Sequence, residues 1–302
     1  MRIRAVLNRG GGTLSTMDLD VLTARLTKVF TEAGHTIDVM AVDGSDILSA
    51  IQDNCGAPDA EAVLVGGGDG TVSLAASLIA GSDKILAVLP AGTMNLFARS
   101  LGIPLDIETA IAALAEGHIR RVDMARVNGR PFVHQFSLGM HPQLIRLRSR
   151  IPFRGRLGKL LASARAGLAT LRNPHNLDVS LTFGDAELLT TTSGIGITNN
   201  LLGEGHLPYA DKPDGGVLGV YITRAEDRWD LLAFFINMAL GRWRENNQVE
   251  IHEADEVHLR ILSPGKQFRC AIDGELYPLE RDMHVELWPK ALRVLVPAEG
   301  AR

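Results

Sequence analysis

One short segment constrains the fold of this chain more than any other. An apolar run, Ala62 to Val65, predicts a buried strand, and it breaks into Gly66-Gly67-Gly68-Asp69-Gly70-Thr71 before a helical stretch from Val72 to about Ile79. A strand, a glycine-rich turn and a helix start in this order direct backbone N–H groups toward a shared space, which suits an anion. The segment predicts an α/β unit with a phosphate-binding turn, and an ordinary tight turn is the alternative.

The residues of this turn indicate what kind of phosphate site it would be. Gly67, Gly68 and Gly70 lack side chains that would hold a phosphate away from the backbone. Asp69 brings a carboxylate for Mg²⁺ or for a reacting hydroxyl. The chain has no Gly-Lys-Ser/Thr sequence, which excludes a Walker loop. Thr71 stands where the dinucleotide fingerprint beginning at Gly66 requires glycine, so that loop is excluded as well.

Strands and helices alternate through the first part of the chain. Strands are expected near 2–8, 36–41, 61–66 and 84–89, and helices near 17–33 and 45–53. This alternation predicts a parallel sheet with helices on both faces, in which ligands bind at the carboxyl ends of the strands. Asn8 ends the first strand, and a second glycine segment, Gly92-Thr93-Met94-Asn95, follows the fourth. We therefore expect three separate segments to converge on one edge of the sheet.

Strands dominate after about residue 119. They are expected near 119–127, 131–137, 177–183, 188–198, 217–223, 256–262, 268–272, 283–288 and 292–296, with helices near 156–171 and 228–243. This pattern predicts a mostly antiparallel β domain. We therefore divide the chain into an α/β domain, residues 1–118, and a β-rich domain, residues 119–302.

A basic segment lies within the second domain. From Arg146 to Arg172 the chain carries eight arginine and lysine residues and no aspartate or glutamate. One interpretation is a cationic face that meets anionic lipid headgroups, and the alternative is a solvated helix face balanced by carboxylates elsewhere.

Composition narrows the class of protein. A hydrophobic content of 46% and a charged content of 22% are typical of a globular protein, and a net charge of −4 argues against a nucleic-acid partner. Cys55 and Cys270 occur in no metal-binding spacing, which favours a reduced compartment. The charged start leads directly into a strand with no apolar signal core. We expect a cytoplasmic protein with peripheral contact at the inner membrane face, and a homodimer is left open.

Two later segments complete an ordered set of four. Asn199 to Gly205 leads to Asp214-Gly215-Gly216-Val217-Leu218, and Ala271-Ile272-Asp273-Gly274-Glu275 follows. With Gly-Gly-Asp-Gly-Thr and Pro90 to Ala98, they resemble the diacylglycerol kinase catalytic-domain family, which includes bacterial lipid kinases and sphingosine kinases. The resemblance runs over nearly the whole chain. Leu96 departs from it by replacing an aspartate, as does Gly219.

The resemblance implies a fold, an activity and a set of site residues. The fold is an NAD-kinase-like α/β domain followed by an antiparallel β domain that binds the lipid acceptor, with the active site between them. The activity is transfer of the γ-phosphate of ATP, with Mg²⁺, to a hydroxyl of diacylglycerol or a related lipid. The resemblance implies that Asp69 and Glu275 are the catalytic residues, with Glu275 as general base. It also implies that Asp69 and Asp214 bind metal. The nucleotide contacts are Asn8, Gly67, Gly68, Gly70, Thr71, Gly92, Thr93 and Asn95.

Two alternatives remain open. An NAD-kinase-like small-molecule kinase would share Gly-Gly-Asp-Gly-Thr, although the Asn-Glu pair of that family is missing at its expected spacing. A non-catalytic nucleotide- or lipid-binding relative would fit the loss of the aspartate at Leu96, although the retained Glu275 argues against it. Asp273 is expected to hold its turn, and His134 and His141 are expected to be structural.

Overall fold

The computed structural model describes residues 1–149, 176–184, 186–224, 228–241, 246–263 and 269–298. The basic segment from residue 150 onward and the helix expected near 156–171 lie outside the described residues. Within the described ranges, no helix is both long and apolar enough to cross a membrane.

The first part of the chain forms a parallel sheet covered by helices. Its strands are β1 (Arg2–Asn8), β2 (Thr36–Val42), β3 (Ala62–Gly67) and β4 (Ile85–Pro90). They lie in the order β2-β1-β3-β4, and each neighbouring pair is parallel. The helices are α1 (Leu19–Glu32), α2 (Ile47–Gly56), α3 (Asp69–Ile79), α4 (Leu96–Ser100) and α5 (Ile107–Ala115).

Local sequence accounts for these helices. The Asp18 side chain accepts hydrogen bonds from the first-turn N–H groups of α1, and Asp106 caps α5 in the same way at Thr109. Helix α1 buries Leu22, Leu26 and Phe30, whose spacing places them on one face. The predicted α/β half is confirmed.

The second part of the chain is dominated by antiparallel strands. Its helices are α6 (Met140–Ser149) and α7 (Arg228–Ala239). Its strands are β5 (His118–Val127), β6 (Arg130–Phe132), β7 (Gln135–Gly139), β8 (Leu177–Phe183), β9 (Ala186–Thr192), β10 (Gly194–Asn199), β11 (Leu218–Thr223), β12 (Val249–Ala254), β13 (Glu256–Ile261), β14 (Arg269–Ile272), β15 (Glu275–Pro278) and β16 (Asp282–Val296).

Two sheets face each other in this half. One has the order β12-β11-β10-β7-β14-β15, and the other extends the parallel sheet as β4-β16-β13-β8-β9. Buried side chains from both sheets form one apolar cluster, in which Leu181 and Leu259 of one sheet join Ile197 and Val220 of the other. Burial of these apolar side chains between the two sheets stabilises the β sandwich that the sheets form. The predicted antiparallel β half is confirmed.

The last strand differs from its prediction. Two strands were expected near 283–288 and 292–296, but β16 is a single strand whose register with β5 shifts between Trp288 and Leu292. Lys290 has a left-handed backbone there (φ 52°), and its N–H donates to the buried carboxylate of Asp123 at 2.8 Å. That hydrogen bond stabilises the irregular backbone at Lys290, so β16 continues past it as one strand. The part of β16 after the irregularity pairs in parallel with β4. The division at residue 118 stays a prediction, since one sheet runs through both parts.

Candidate active site

The two glycine segments approach each other at backbone distance. A Cβ added to Gly92 would lie 2.6 Å from the Cα of Gly68, so only glycine fits at this crossing. The N–H of Ala91 donates to the carbonyl of Gly67 at 3.1 Å. The Asn8 amide, at the end of β1, lies 3.4 Å from the Thr71 hydroxyl. The structure therefore brings together the three segments that strand order placed at one edge.

Asp69 organises the second glycine segment. Its two carboxylate oxygens accept the N–H groups of Asn95 at 3.0 Å and Leu96 at 2.6 Å. Asn95 has a left-handed backbone (φ 52°), and its side chain closes the loop by bonding the N–H and the carbonyl of Gly92. Leu96 is buried. Residue 96 is an aspartate in the family that the sequence resembles. In this chain, Leu96 instead donates its backbone N–H to Asp69 and buries its side chain.

The first turn of α3 offers donors for an anion. Gly68 precedes the helix and supplies no side-chain cap, unlike the aspartates before α1 and α5. The N–H of Thr71 already donates to the carbonyl of Gly68 at 3.0 Å, so the donors available to an anion are those that precede Thr71. The helix dipole adds to their attraction for negative charge. Gly70 is exposed, and a Cβ there would meet nothing within 4 Å. Thr93 is exposed on the facing loop. This arrangement can hold a phosphate group against the backbone.

A turn from the second half of the chain contacts α3. The Asp273 carboxylate accepts the N–H groups of 133–135, each at 2.9 Å, and the Ser73 hydroxyl at 2.5 Å. Asp273 has φ 46°, and its own N–H donates to the carbonyl of Gln135. The expectation that Asp273 holds its turn is confirmed. Glu275 follows Asp273 by two residues and is exposed at the start of β15.

Sequence reasoning missed Ser73 as the other half of this contact. The two residues are 200 positions apart in the chain. The available signal was the helical spacing of Ser73, four residues after Asp69, which puts both side chains on one face of α3.

His134 donates its backbone N–H to the Asp273 carboxylate at 2.9 Å. Burial lowers the pKa of His134, and the charges of Asp273 and Asp69 oppose that shift. Burial also lowers the pKa of His141, to about 4. The Nδ1 of His141 lies 2.7 Å from the Ser137 hydroxyl. Both rings are therefore neutral at pH 7, and their structural role stays a prediction.

Asp214 has an arginine partner. Its carboxylate forms two contacts with the Arg120 guanidinium, which hold the pKa of Asp214 below its usual value. Among the described residues, no contact joins Asp214 to the loops around Asp69. The neighbouring Gly216 donates its N–H to Asp123 at 2.9 Å, and Asp123 is a buried carboxylate that the sequence analysis did not single out. A cation at Asp214 would meet the positive charge of this guanidinium.

An apolar cavity of about 260 Å³ lies between the sheet and helices α6 and α7. Its apolar wall is formed by Leu138, Met140, Leu144, Ile195, Tyr221 and Phe234. Its polar wall includes Gln135, Ser137 and His141. Gln135 also donates its N–H to Asp273, so the polar side of the cavity begins beside the turn that carries Glu275.

Comparisons with known proteins agree with this architecture. Residues 2–127 match the diacylglycerol kinase catalytic domain, and residues 149–296 match the YegS C-terminal NAD kinase beta sandwich-like domain. The chain is 28% identical to a diacylglycerol kinase of Mycobacterium tuberculosis over 283 residues, covering 87% of this chain and 86% of the relative. It is 26% identical to a diacylglycerol kinase of Staphylococcus carnosus, covering 72% and 71%.

A solved structure shows the same fold. The crystal structure of a diacylglycerol kinase from Bacillus anthracis matches with a TM-score of 0.73, at 17% identity, over 100% of this chain and 98% of that one. The two domain matches and these relatives confirm the resemblance. The chain belongs to the diacylglycerol kinase catalytic-domain family.

Proposed function

We propose that this protein is an ATP-dependent lipid kinase that transfers the γ-phosphate to a hydroxyl of diacylglycerol or a related lipid. One observation carries the proposal: the Asp69 loops and the Asp273–Glu275 turn meet at α3, and an apolar cavity begins beside that same turn. Phosphoryl transfer requires a phosphate cradle, cations and a group that orients the acceptor hydroxyl. A lipid acceptor also requires an apolar site, and the cavity beside the Asp273 turn is the candidate for it.

The nucleotide side uses the converging loops. Bound Mg²⁺-ATP supplies the phosphoryl group and offsets its charge. Asp69 fits such a cation, because each of its oxygens keeps acceptor capacity after accepting one N–H, and Mg²⁺ is usually bound by one or two carboxylates together with substrate phosphates. We assign the phosphate contacts to the remaining loop residues: Asn8, Gly67, Gly68, Gly70, Thr71, Gly92, Thr93 and Asn95.

The acceptor side uses the β domain. We assign Glu275 as the general base that removes the proton of the acceptor hydroxyl, a step worth about 10²- to 10⁴-fold in rate. Asp273 and Ser73 position its turn against α3. The cavity holds the first part of an acyl chain, since its volume of about 260 Å³ is below that of common ligand pockets. Asp214 as a metal ligand stays a prediction, and a cation there would lie beside the Arg120 guanidinium.

The test is transfer of radiolabelled γ-phosphate from ATP into a total lipid extract, with the product identified by mass. We expect a Mg²⁺-dependent labelled phospholipid. NAD is offered in parallel reactions as a competing acceptor. Label in NADP with none in lipid would support the NAD-kinase-like alternative. ATP binding with no transfer to either acceptor would support the non-catalytic alternative.

A further inference from the structure

A cluster of two histidines and a glutamate lies on the outer surface of the β half. The Nε2 atoms of His258 and His284 approach the same Glu256 oxygen, at 2.8 Å and 2.6 Å. One ligand atom from each of the three residues lies within 4.8 Å of the others. The exposed fractions of the side chains are 60%, 39% and 54% for His258, His284 and Glu256. The cluster therefore faces solvent with its donor atoms converged.

Strand register creates this convergence. His258 on β13 pairs directly with His284 on β16, and their rings stack with centroids 4.5 Å apart and an angle of 7° between planes. Glu256 precedes His258 by two residues, so both side chains leave the same face of β13. The intervening Val257 and the cross-strand Val285 are fully buried in the sandwich core. Because these valines anchor the opposite face, the three outward side chains are held on a rigid surface.

We propose that Glu256, His258 and His284 form a binding site for a transition-metal dication, with Zn²⁺ as the preferred ion. Two imidazoles and one carboxylate are a frequent Zn²⁺ ligand set, whereas Mg²⁺ favours oxygen ligands. Tetrahedral bonds of about 2.0–2.1 Å separate ligand atoms by about 3.3 Å. From 2.8 Å and 2.6 Å, the two Nε2–Oε1 distances need to lengthen by about 0.5 Å and 0.7 Å to reach that value, which small side-chain rotations provide. Three protein ligands leave a fourth position for water.

The surrounding charges favour a cation. A groove of about 290 Å³ beside the cluster is lined by His258 and His284 and also by Glu187, Asp282 and Arg260. Arg260 is paired with Asp282 through its Nε, so its charge is offset locally.

Metal at this site would link two strands that are far apart in sequence. β13 and β16 are joined here by side chains as well as by their backbone ladder, and β16 continues toward β4 in the parallel sheet. A metal that binds only the folded chain raises its stability by mass action. At a Zn²⁺ concentration of 100 times Kd, the melting temperature should rise by about 4 °C for a chain of 302 residues.

The experiment is isothermal titration of untagged, chelator-treated full-length protein with ZnCl₂, because a histidine tag would bind Zn²⁺ itself. We expect one Zn²⁺ per chain, with affinity more than about 10-fold weaker in His258→Ala and in His284→Ala. His252→Ala is the matched control. His252 bonds Glu250 at 2.7 Å in the same domain, but no second histidine of the described ranges joins that pair. This variant should bind as the parent protein does.

A second measurement does not depend on the folding of any variant. Co²⁺ is added to the parent protein, and its visible absorption is recorded. Tetrahedral bands with nitrogen and oxygen ligation support the proposal, and a spectrum of hexaaquo Co²⁺ contradicts it. Undiminished Zn²⁺ binding by both histidine variants, or no Zn²⁺ binding by the parent protein, also overturns it. None of these residues belongs to the proposed kinase site, so either proposal can fail without the other.

Discussion

Replacing Gly70 with alanine separates the structural role of the glycine turn from its proposed role in binding phosphate. Gly70 is the second residue of α3, its backbone is not left-handed, and the added Cβ meets nothing within 4 Å. Alanine is the better helix former by about 0.5–1 kcal/mol. The free energy of unfolding should therefore stay constant or rise by up to that amount.

The effect on ATP should have the opposite sign. If the backbone of Gly70 faces the phosphates, the new methyl group occupies part of their site. We expect the KM for ATP to rise about 10-fold or more, equivalent to about 1.4 kcal/mol of lost binding. The assay is the initial rate of lipid phosphorylation at a series of ATP concentrations, with urea unfolding measured on the same preparation.

Two glycine variants serve as controls. Gly56→Ala also lies in a helix with nothing within 4 Å of the new Cβ, so it should match Gly70→Ala in stability and leave the KM unchanged. Gly92→Ala would bring its Cβ to 2.6 Å from the Cα of Gly68, so it should lose about 1–3 kcal/mol of stability together with activity. A normal KM for ATP in Gly70→Ala would mean that the phosphates of ATP do not bind against this turn and that the turn has only a structural role.

Four other predictions test the remaining assignments. Asp69→Asn should fold but lower the rate of phosphoryl transfer about 10²-fold or more. The carboxylate charge is lost, and one of the two oxygens that accept backbone N–H groups is replaced by an NH₂ donor. Near-normal lipid phosphorylation would refute the catalytic role of Asp69. Glu275→Gln should lower kcat while ATP affinity measured by titration stays intact, and a parallel loss of affinity would make Glu275 a nucleotide or metal ligand. Burial holds the pKa of His141 at about 4, whereas its ordinary value is 6.5, so the unfolded chain binds a proton first as the pH falls and the folded state loses stability. His141→Asn should remove up to about 3 kcal/mol of the stability that is lost between pH 7 and pH 4, measured by urea unfolding at both pH values. An unchanged pH dependence of stability would contradict this prediction. If the basic segment docks on membrane, binding of the protein to anionic vesicles should weaken as salt is added. Neutral substitutions at Arg150, Arg154 and Arg156 together should lower activity on membrane-embedded lipid but leave activity on a short-chain soluble acceptor unchanged.

The sequence by itself determined the features that depend on neighbours along the chain. Local patterns predicted helices near 17–33 and 45–53, and the structure contains α1 and α2 there. The alternation of strand and helix predicted a parallel sheet, and parallel strands all end at one edge. The convergence of the glycine segments followed from that geometry without knowledge of any single contact.

Only the tertiary structure decided the contacts between distant antiparallel strands. The irregularity of β16 at Lys290 and the pairing of His258 with His284 depend on strand register. The hydrogen bond between Ser73 and Asp273 depends in turn on how the β14–β15 turn packs against α3. A shift of one residue turns every side chain of a strand to the other face, and packing of the whole sandwich selects the register. Local patterns do not contain that information, because the energy that selects it comes from burial shared by residues far apart in the chain.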